Sequence, residues 1–124
     1  TCTPSVIAYT LSHFDLDHCI YLDADLYFFD SPKYLIDEMP QDRSVMITPH
    51  RYTKEYDQTA TSGKYCVQFI YFKNTAHGLN VLNWWKERCI EWGFNRFGNG
   101  KFGDQKYLDD WLVRFDQSVY ELDN

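Results

Sequence analysis

The sequence has no apolar stretch approaching the about 20 residues needed to span a bilayer, so no transmembrane segment is expected. It has no basic-then-apolar leader pattern, so no secretory signal is expected either. Its four cysteines, Cys2, Cys19, Cys66 and Cys89, show neither CxxC nor mixed Cys/His spacing, which excludes a zinc module. Cys19 and Cys66 lie in apolar runs, where a thiol packs as a small hydrophobe. A reducing cytoplasm therefore fits better than a disulfide-stapled secreted fold. Basic residues are outnumbered: 12 Lys and Arg stand against 18 Asp and Glu, for a net charge of −6. Those basic residues are scattered, which argues against a nucleic-acid partner. There is no internal repeat and no low-complexity tract.

What remains is a chain of 124 residues, long enough for a single domain (1–124) with a real core. Hydrophobic residues make up 44% and charged residues 24%, ordinary values for a globular protein. Aromatics are in excess at 19%, with ten Tyr, nine Phe and four Trp. A core built with rings accounts for that excess more simply than a set of sugar-stacking platforms.

Local signals predict an alternation of helices and short strands. Thr3-Pro4 reads as N-cap and first helical position of a helix reaching about His13. A buried strand follows from His18 to about Tyr27. Ser31-Pro32 opens a short helix to Glu38, closed by Pro40. Ser44 to Thr48 is a second strand, ending at Pro49-His50-Arg51. The polar region from Tyr52 to Lys64 reads as a mobile loop with a functional role. Tyr65 to Lys73 is a strong strand. The longest helix runs from about Ala76 to Trp92, with Leu79, Leu82, Trp85, Cys89 and Trp92 as its apolar stripe. A Gly- and Asn-rich turn precedes a last helix, Asp104 to about Phe115, and Ser118 to Leu122 begins a final strand. The expected class is α/β, a mixed but mainly parallel sheet flanked by helices. The chain starts with Thr1 rather than Met, and both ends look cut, so an incomplete domain is expected.

The most informative stretch is His18 to Pro32. An apolar run stops at two carboxylates two positions apart, Asp23 and Asp25, flanking Ala24. Residues i and i+2 of a strand project to one face. Two carboxylates converging at the end of a buried strand are costly without a partner. Mg²⁺ or Mn²⁺ removes that cost, because carboxylate oxygens are their preferred ligands, and with the metal comes an anion such as a diphosphate. The simpler alternative is a pair of turn-forming aspartates.

Other polar residues carry weaker signals. Asp104, in Gly103-Asp104-Gln105, is either a helix N-cap or a carboxylate facing a pocket. Gln68 is a lone amide in a buried strand and must find partners, either backbone or ligand. His50 reads as a loop histidine or as a metal or phosphate contact. Asp30 belongs to the entry of the short helix.

The segment Tyr21 to Pro32 resembles the DxD region of nucleotide-sugar glycosyltransferases with the GT-A fold. The polar end of the Cys66 to Asn74 strand and the Gly103-Asp104-Gln105 triplet follow in that family's order, much as in glycogenin and the bacterial lipopolysaccharide galactosyltransferases. The resemblance covers about Thr3 to Phe115. It implies that Asp23 and Asp25 bind Mn²⁺ or Mg²⁺ bridging the diphosphate of a donor such as a UDP-sugar, with Ala24 and Gln105 at the donor. It implies that Asp104 and Gln68 serve the reaction, Asp104 as general base in an inverting enzyme or as an orienting group in a retaining one. Val67-Gln68-Phe69 stands where the family has Asn-x-Gly. The family's base-binding unit would precede Thr1, and a third, histidine metal ligand would follow Asn124. The implied partners are a nucleotide-sugar donor and a glycan acceptor. A peripheral association with a membrane or a glycan-assembly complex stays compatible with the sequence.

Two other classes compete. Phe14-Asp15-Leu16-Asp17 resembles the nucleophile motif of haloacid-dehalogenase-like phosphatases, with Gly103-Asp104 and Asp109-Asp110 as the Mg²⁺ motif. That nucleophile should end a strand, whereas Tyr9 to Phe14 reads as the end of a helix. The third reading is a non-catalytic carbohydrate-binding module, which would not depend on Asp23 and Asp25.

Overall fold

A computed structural model describes residues 2–94, 96 and 98–122. The chain forms α1 (Thr3–His13), β1 (His18–Leu22), α2 (Lys33–Asp37), β2 (Val45–Pro49), α3 (Thr59–Ser62), β3 (Tyr65–Lys73), α4 (Ala76–Glu91), α5 (Trp111–Arg114) and β4 (Val119–Glu121). Two 3₁₀ turns, Lys54–Tyr56 and Lys106–Asp110, complete the described elements. No described helix is long and apolar enough to cross a membrane.

Local chemistry explains the longer helices. α1 starts at Thr3 itself, with Cys2 in the cap position and no side-chain cap bond, one residue earlier than the Thr-Pro signal predicts. α4 is capped as its sequence suggests: the Thr75 hydroxyl accepts the Gly78 N–H at 3.1 Å. Gly78 sits where this first turn crosses the end of β3, and a Cβ there would fall 2.2 Å from the Lys73 carbonyl oxygen. Only a residue without a side chain lets the helix leave the strand so tightly.

The sheet order is β1-β3-β2-β4. β3 is antiparallel to both β1 and β2, and only β2 and β4 pair in parallel, so the expectation of a mainly parallel sheet is corrected. The cause is the connection between β2 and β3. The His50 N–H donates to the Lys64 carbonyl at 2.9 Å, so the chain re-enters the sheet at the end where β2 left it. A strand that starts beside the end of its neighbour pairs antiparallel. β4 reaches its parallel place through the longer helical crossover of α4, the second 3₁₀ turn and α5.

Helices cover both faces of the sheet. On one, Ile7 and Leu11 of α1, Val81, Leu82 and Trp85 of α4, and Leu108 and Trp111 pack against Val45, Ile47, Val67, Ile70 and Phe72. On the other, Leu35 and Ile36 of α2 and Met39 cover Met46, Phe69, Tyr71 and Leu122. Trp85 and Trp111 are completely buried and meet edge to face at 5.5 Å. Burial of a large apolar side chain contributes about 1.5–3 kcal/mol, so these rings anchor the larger core.

Four further expectations are corrected. β1 ends at Leu22 rather than near Tyr27, and it is half-exposed rather than buried. It is the edge strand of the described sheet, with a partner on one side only. The region after Tyr52 is not a featureless mobile loop: it holds a 3₁₀ turn and α3, braced by Gln105 and Lys106 side chains on the Ser62 and Thr59 carbonyls at 2.8 and 2.9 Å. The predicted helix from Asp104 to Phe115 splits into a 3₁₀ turn and the four-residue α5. Leu108 and Trp111 must both enter the core, and 3₁₀ geometry places residues i and i+3 on one face.

Candidate functional site

β1, β2 and β4 point the same way, so their carboxyl ends gather at one edge of the sheet together with the start of β3. In open α/β sheets this is the edge where ligands bind. Asp23, Gln68 and His50 lie at or near it, whereas Asp15 and Asp17 precede β1 at the opposite end of the sheet.

Asp23 is the first residue beyond β1. Its backbone N–H makes one last ladder bond, to the Gln68 carbonyl at 3.0 Å, and Ala24 and Asp25 then turn away. The two carboxylates thus lie on a turn rather than on one face of a continuing strand, with Asp23 half-buried and Asp25 exposed. Burial, followed by contact with the Asp23 carboxylate, pushes the Tyr21 phenol above its ordinary range, with the Asp104 charge adding to it. Burial also raises the Cys66 thiol, and the charges of Asp23 and Asp104 push it the same way. Asp23 and Asp104, 81 positions apart in the numbering, therefore act on the same two side chains.

Gln68 occupies an irregularity. Met46 pairs with Tyr71, but Thr48 pairs with Cys66, so β3 carries extra residues between these points. Such a bulge frees its residues from the ladder and re-aims them. Gln68 is half-buried there and lines a cavity of about 270 Å³ with Thr48, His50, Arg51 and Leu122.

Asp104 is not a helix cap, because Gln105 holds that position and no side-chain cap bond forms. The Asp104 carbonyl accepts the indole N–H of the buried Trp85 at 2.8 Å, tying this loop to the core, and Gly103 before it takes a left-handed φ of 53°. Gln105 donates its amide to the Ser62 carbonyl. Its observed contact therefore braces α3.

His50 is held in place by stacking on Tyr52 at 4.6 Å, and burial lowers its imidazole below the ordinary histidine range despite the Asp109 charge. Its Nε2 is buried without a hydrogen-bond partner among the described residues. Asp15, the nucleophile of the phosphatase reading, sits exposed in the turn after α1 with a φ of 49°. It ends a helix rather than a strand, so the motif lacks the setting that reading requires.

The chain is 37% identical over 101 residues to a Bacillus subtilis (strain 168) protein, Uncharacterized protein YfnF, covering 77% of this chain and 33% of that one. It is 27% identical over 122 residues to Uncharacterized protein YfnD of the same organism, covering 93% of this chain and 38% of that one. The chain thus spans about a third of the length of these curated relatives. No family model matches it, and no solved structure does.

Two features of the same edge escaped the sequence reading. Arg51 follows β2 with a left-handed φ of 52° and donates Nη2 to the Leu122 carbonyl at 3.1 Å. Lys64, Tyr65 and Glu121 form a hydrogen-bonded triad, although Lys64 and Glu121 stand 57 residues apart. No local pattern announces a pairing created by strand order. The aromatic excess also divides: Tyr65, Phe72, Trp85 and Trp111 fill the core, while Tyr27, Phe29 and Tyr34 stay exposed around a cavity of about 250 Å³ after Asp25.

Proposed function

We propose that this chain is part of the catalytic domain of a GT-A-like glycosyltransferase, transferring a sugar from a nucleotide-sugar donor such as a UDP-sugar to a glycan. The supporting observation is convergence. Asp23 leaves β1 hydrogen-bonded to Gln68, and Asp104 acts on the same Tyr21 and Cys66 as Asp23 does. Electrostatic coupling between three segments distant in sequence, each picked out by the DxD resemblance, is what supports the reading.

The donor set suits a hard cation in one respect. Among the described residues no group of three or more His, Cys, Asp or Glu side chains could hold a metal. Mg²⁺ characteristically takes only one or two protein carboxylates and completes its shell with water and substrate phosphates. In this reading Asp23 and Asp25 would supply that minimal set, brought together on the metal from the turn that carries them. Bound there, Mg²⁺ or Mn²⁺ would offer Lewis acidity to the departing nucleoside diphosphate. In this reading the backbone bond to Gln68 sets where Asp23 stands, and Asp104 orients the incoming hydroxyl or accepts its proton. A cytoplasmic setting is part of the proposal, supported by four cysteines that form no disulfide.

Calorimetric titration of UDP and UDP-sugars with and without Mn²⁺ tests the reading. Metal-dependent binding abolished by Asp23→Ala/Asp25→Ala is expected. Metal-independent binding, binding that survives the double substitution, or no binding at all would count against it. The carbohydrate-binding-module reading, which the exposed Tyr27, Phe29 and Tyr34 rings keep in play, predicts glycan binding indifferent to both aspartates.

A further inference from the structure

β2 and β4 run parallel and end side by side, and a cavity of about 310 Å³ opens where they stop. Arg51, Tyr52, Asp57, Thr59, Lys64 and Glu121 are its polar and aromatic lining. The charges balance, two cations against two carboxylates, so the cavity favours neither an anion nor a metal ion. Its polar atoms are arranged in a definite way. Glu121 Oε2 accepts from the Tyr65 hydroxyl at 2.7 Å and from Lys64 Nζ at 2.9 Å. Oε1 has no partner among the described residues. Arg51 spends Nη2 on the Leu122 carbonyl, and its other guanidinium hydrogens have no acceptor among the described residues. The backbone holds Arg51 in the left-handed region, a conformation that costs energy in a residue with a Cβ and that recurs where a ligand is gripped. Tyr52 is stacked flat on His50, which fixes its ring.

A phosphate or carboxylate could reach the open guanidinium of Arg51 only by standing beside the Asp57 and Glu121 carboxylates that line the same cavity. A neutral polyol meets no such repulsion, because each hydroxyl both donates and accepts. A carboxylate oxygen beside guanidinium and ammonium donors, next to a fixed aromatic ring, matches the two chemistries of a sugar: a polar rim of hydroxyls and an apolar C–H face. Ligand sites of this kind combine a few placed polar groups with a ring.

We propose that this cavity binds the adjacent hydroxyls of a neutral glycan. Glu121 Oε1 accepts from one hydroxyl, Arg51 and Lys64 donate to its neighbour, and the Tyr52 ring packs on the sugar's C–H face. The inference rests on the glycosyltransferase reading for its role, since the glycan would be the acceptor, but its test does not involve the donor.

The test is titration of the ¹⁵N-labelled protein with methyl glycosides of glucose, galactose and N-acetylglucosamine, and separately with inorganic phosphate. At least one glycoside is expected to shift the amides of residues 51–59 and 121–122. Arg51→Ala and Tyr52→Ala should each weaken that binding about tenfold, the equivalent of one good contact. Arg51 is exposed, so its replacement leaves the core intact, and the amide spectrum itself reports folding. Asp23→Ala/Asp25→Ala should leave glycoside binding unchanged. Absence of glycoside shifts at these amides, a response to phosphate alone, or binding indifferent to Arg51→Ala and Tyr52→Ala would each overturn the proposal. If glycosides bind here while UDP-sugars show no Asp23-dependent binding, the donor reading falls and the cavity stands. The reverse pattern removes the cavity and keeps the donor site.

Discussion

The backbone N–H of Asp23 donates to the carbonyl oxygen of Gln68 at 3.0 Å, the last rung between β1 and β3. That single bond places the first aspartate of the DxD segment against the bulge of the neighbouring strand. It also marks where strand geometry stops, so Asp25 follows from a turn and stands exposed. Asp23 is thereby the fixed member of the pair and Asp25 the adaptable one.

The two aspartates should differ in consequence. Asp25→Ala removes an exposed side chain and is expected to change stability by no more than about 0.5 kcal/mol. Either substitution should weaken Mn²⁺-dependent UDP-sugar binding at least tenfold, as expected when a charged ligand contact is lost. Parallel urea denaturation and calorimetry check this. A stability loss that tracks the binding loss would mean that the aspartates are structural turn formers.

Trp85 links the core to the loop of Asp104. Trp85→Phe keeps most of the ring packing against Phe72 and Trp111 but deletes the 2.8 Å bond to the Asp104 carbonyl. The expected cost is about 1–3 kcal/mol from the unpaired carbonyl. Trp85→Ala should cost about 3–5 kcal/mol through the cavity it leaves. Equilibrium unfolding distinguishes them, and equal costs would show that the hydrogen bond contributes nothing.

Gly78→Ala should destabilise the protein even though alanine is the better helix former by about 1 kcal/mol. The added methyl would meet the Lys73 carbonyl oxygen at 2.2 Å, and overpacking of this kind costs about 1–3 kcal/mol. A melting temperature equal to or above that of the parent would contradict this account of the β3–α4 junction.

The Lys64–Glu121–Tyr65 triad makes stability depend on pH. Burial alone would raise the Glu121 carboxyl, but the hydrogen bonds from Lys64 and Tyr65 and the charges of Lys64 and Arg51 hold it below the ordinary glutamate range. Its contribution is therefore present above the unfolded-state pKa and lost as pH falls through the folded one. Lys64 is raised, chiefly by its bond to Glu121 and then by Tyr65, so its share is full below the unfolded lysine pKa and lost as pH climbs through the folded value. Urea midpoints measured across acid and alkaline pH should fall more steeply for the parent than for Glu121→Gln at both ends. Identical curves would show that the triad is energetically silent.

Thiol reactivity should follow burial. Burial, reinforced by the Asp104 charge, pushes Cys89 up to about 12, so it remains a protonated, unreactive thiol at neutral pH. Exposed Cys2 should react first with a thiol reagent, and buried Cys66 and Cys89 only on unfolding. Fast modification of Cys89 in the native protein would contradict the packing of α4 against the sheet.

Most elements and the place of the acidic turn were legible in the sequence because their causes are local. The Thr75 cap acts over three residues, the α4 stripe repeats every three or four, and the apolar run of β1 stops where the aspartates begin. What tertiary structure alone decided depends on contacts between distant residues. The loop that closes from His50 to Lys64 sent β3 back between β1 and β2, and so made the mixed sheet mainly antiparallel rather than mainly parallel. That order left β1 half-exposed at an edge, put Gln68 in a bulge beside Asp23, and brought Lys64 against Glu121. Periodicity specifies which face of an element is apolar; only the packing of those faces determines which polar residues meet.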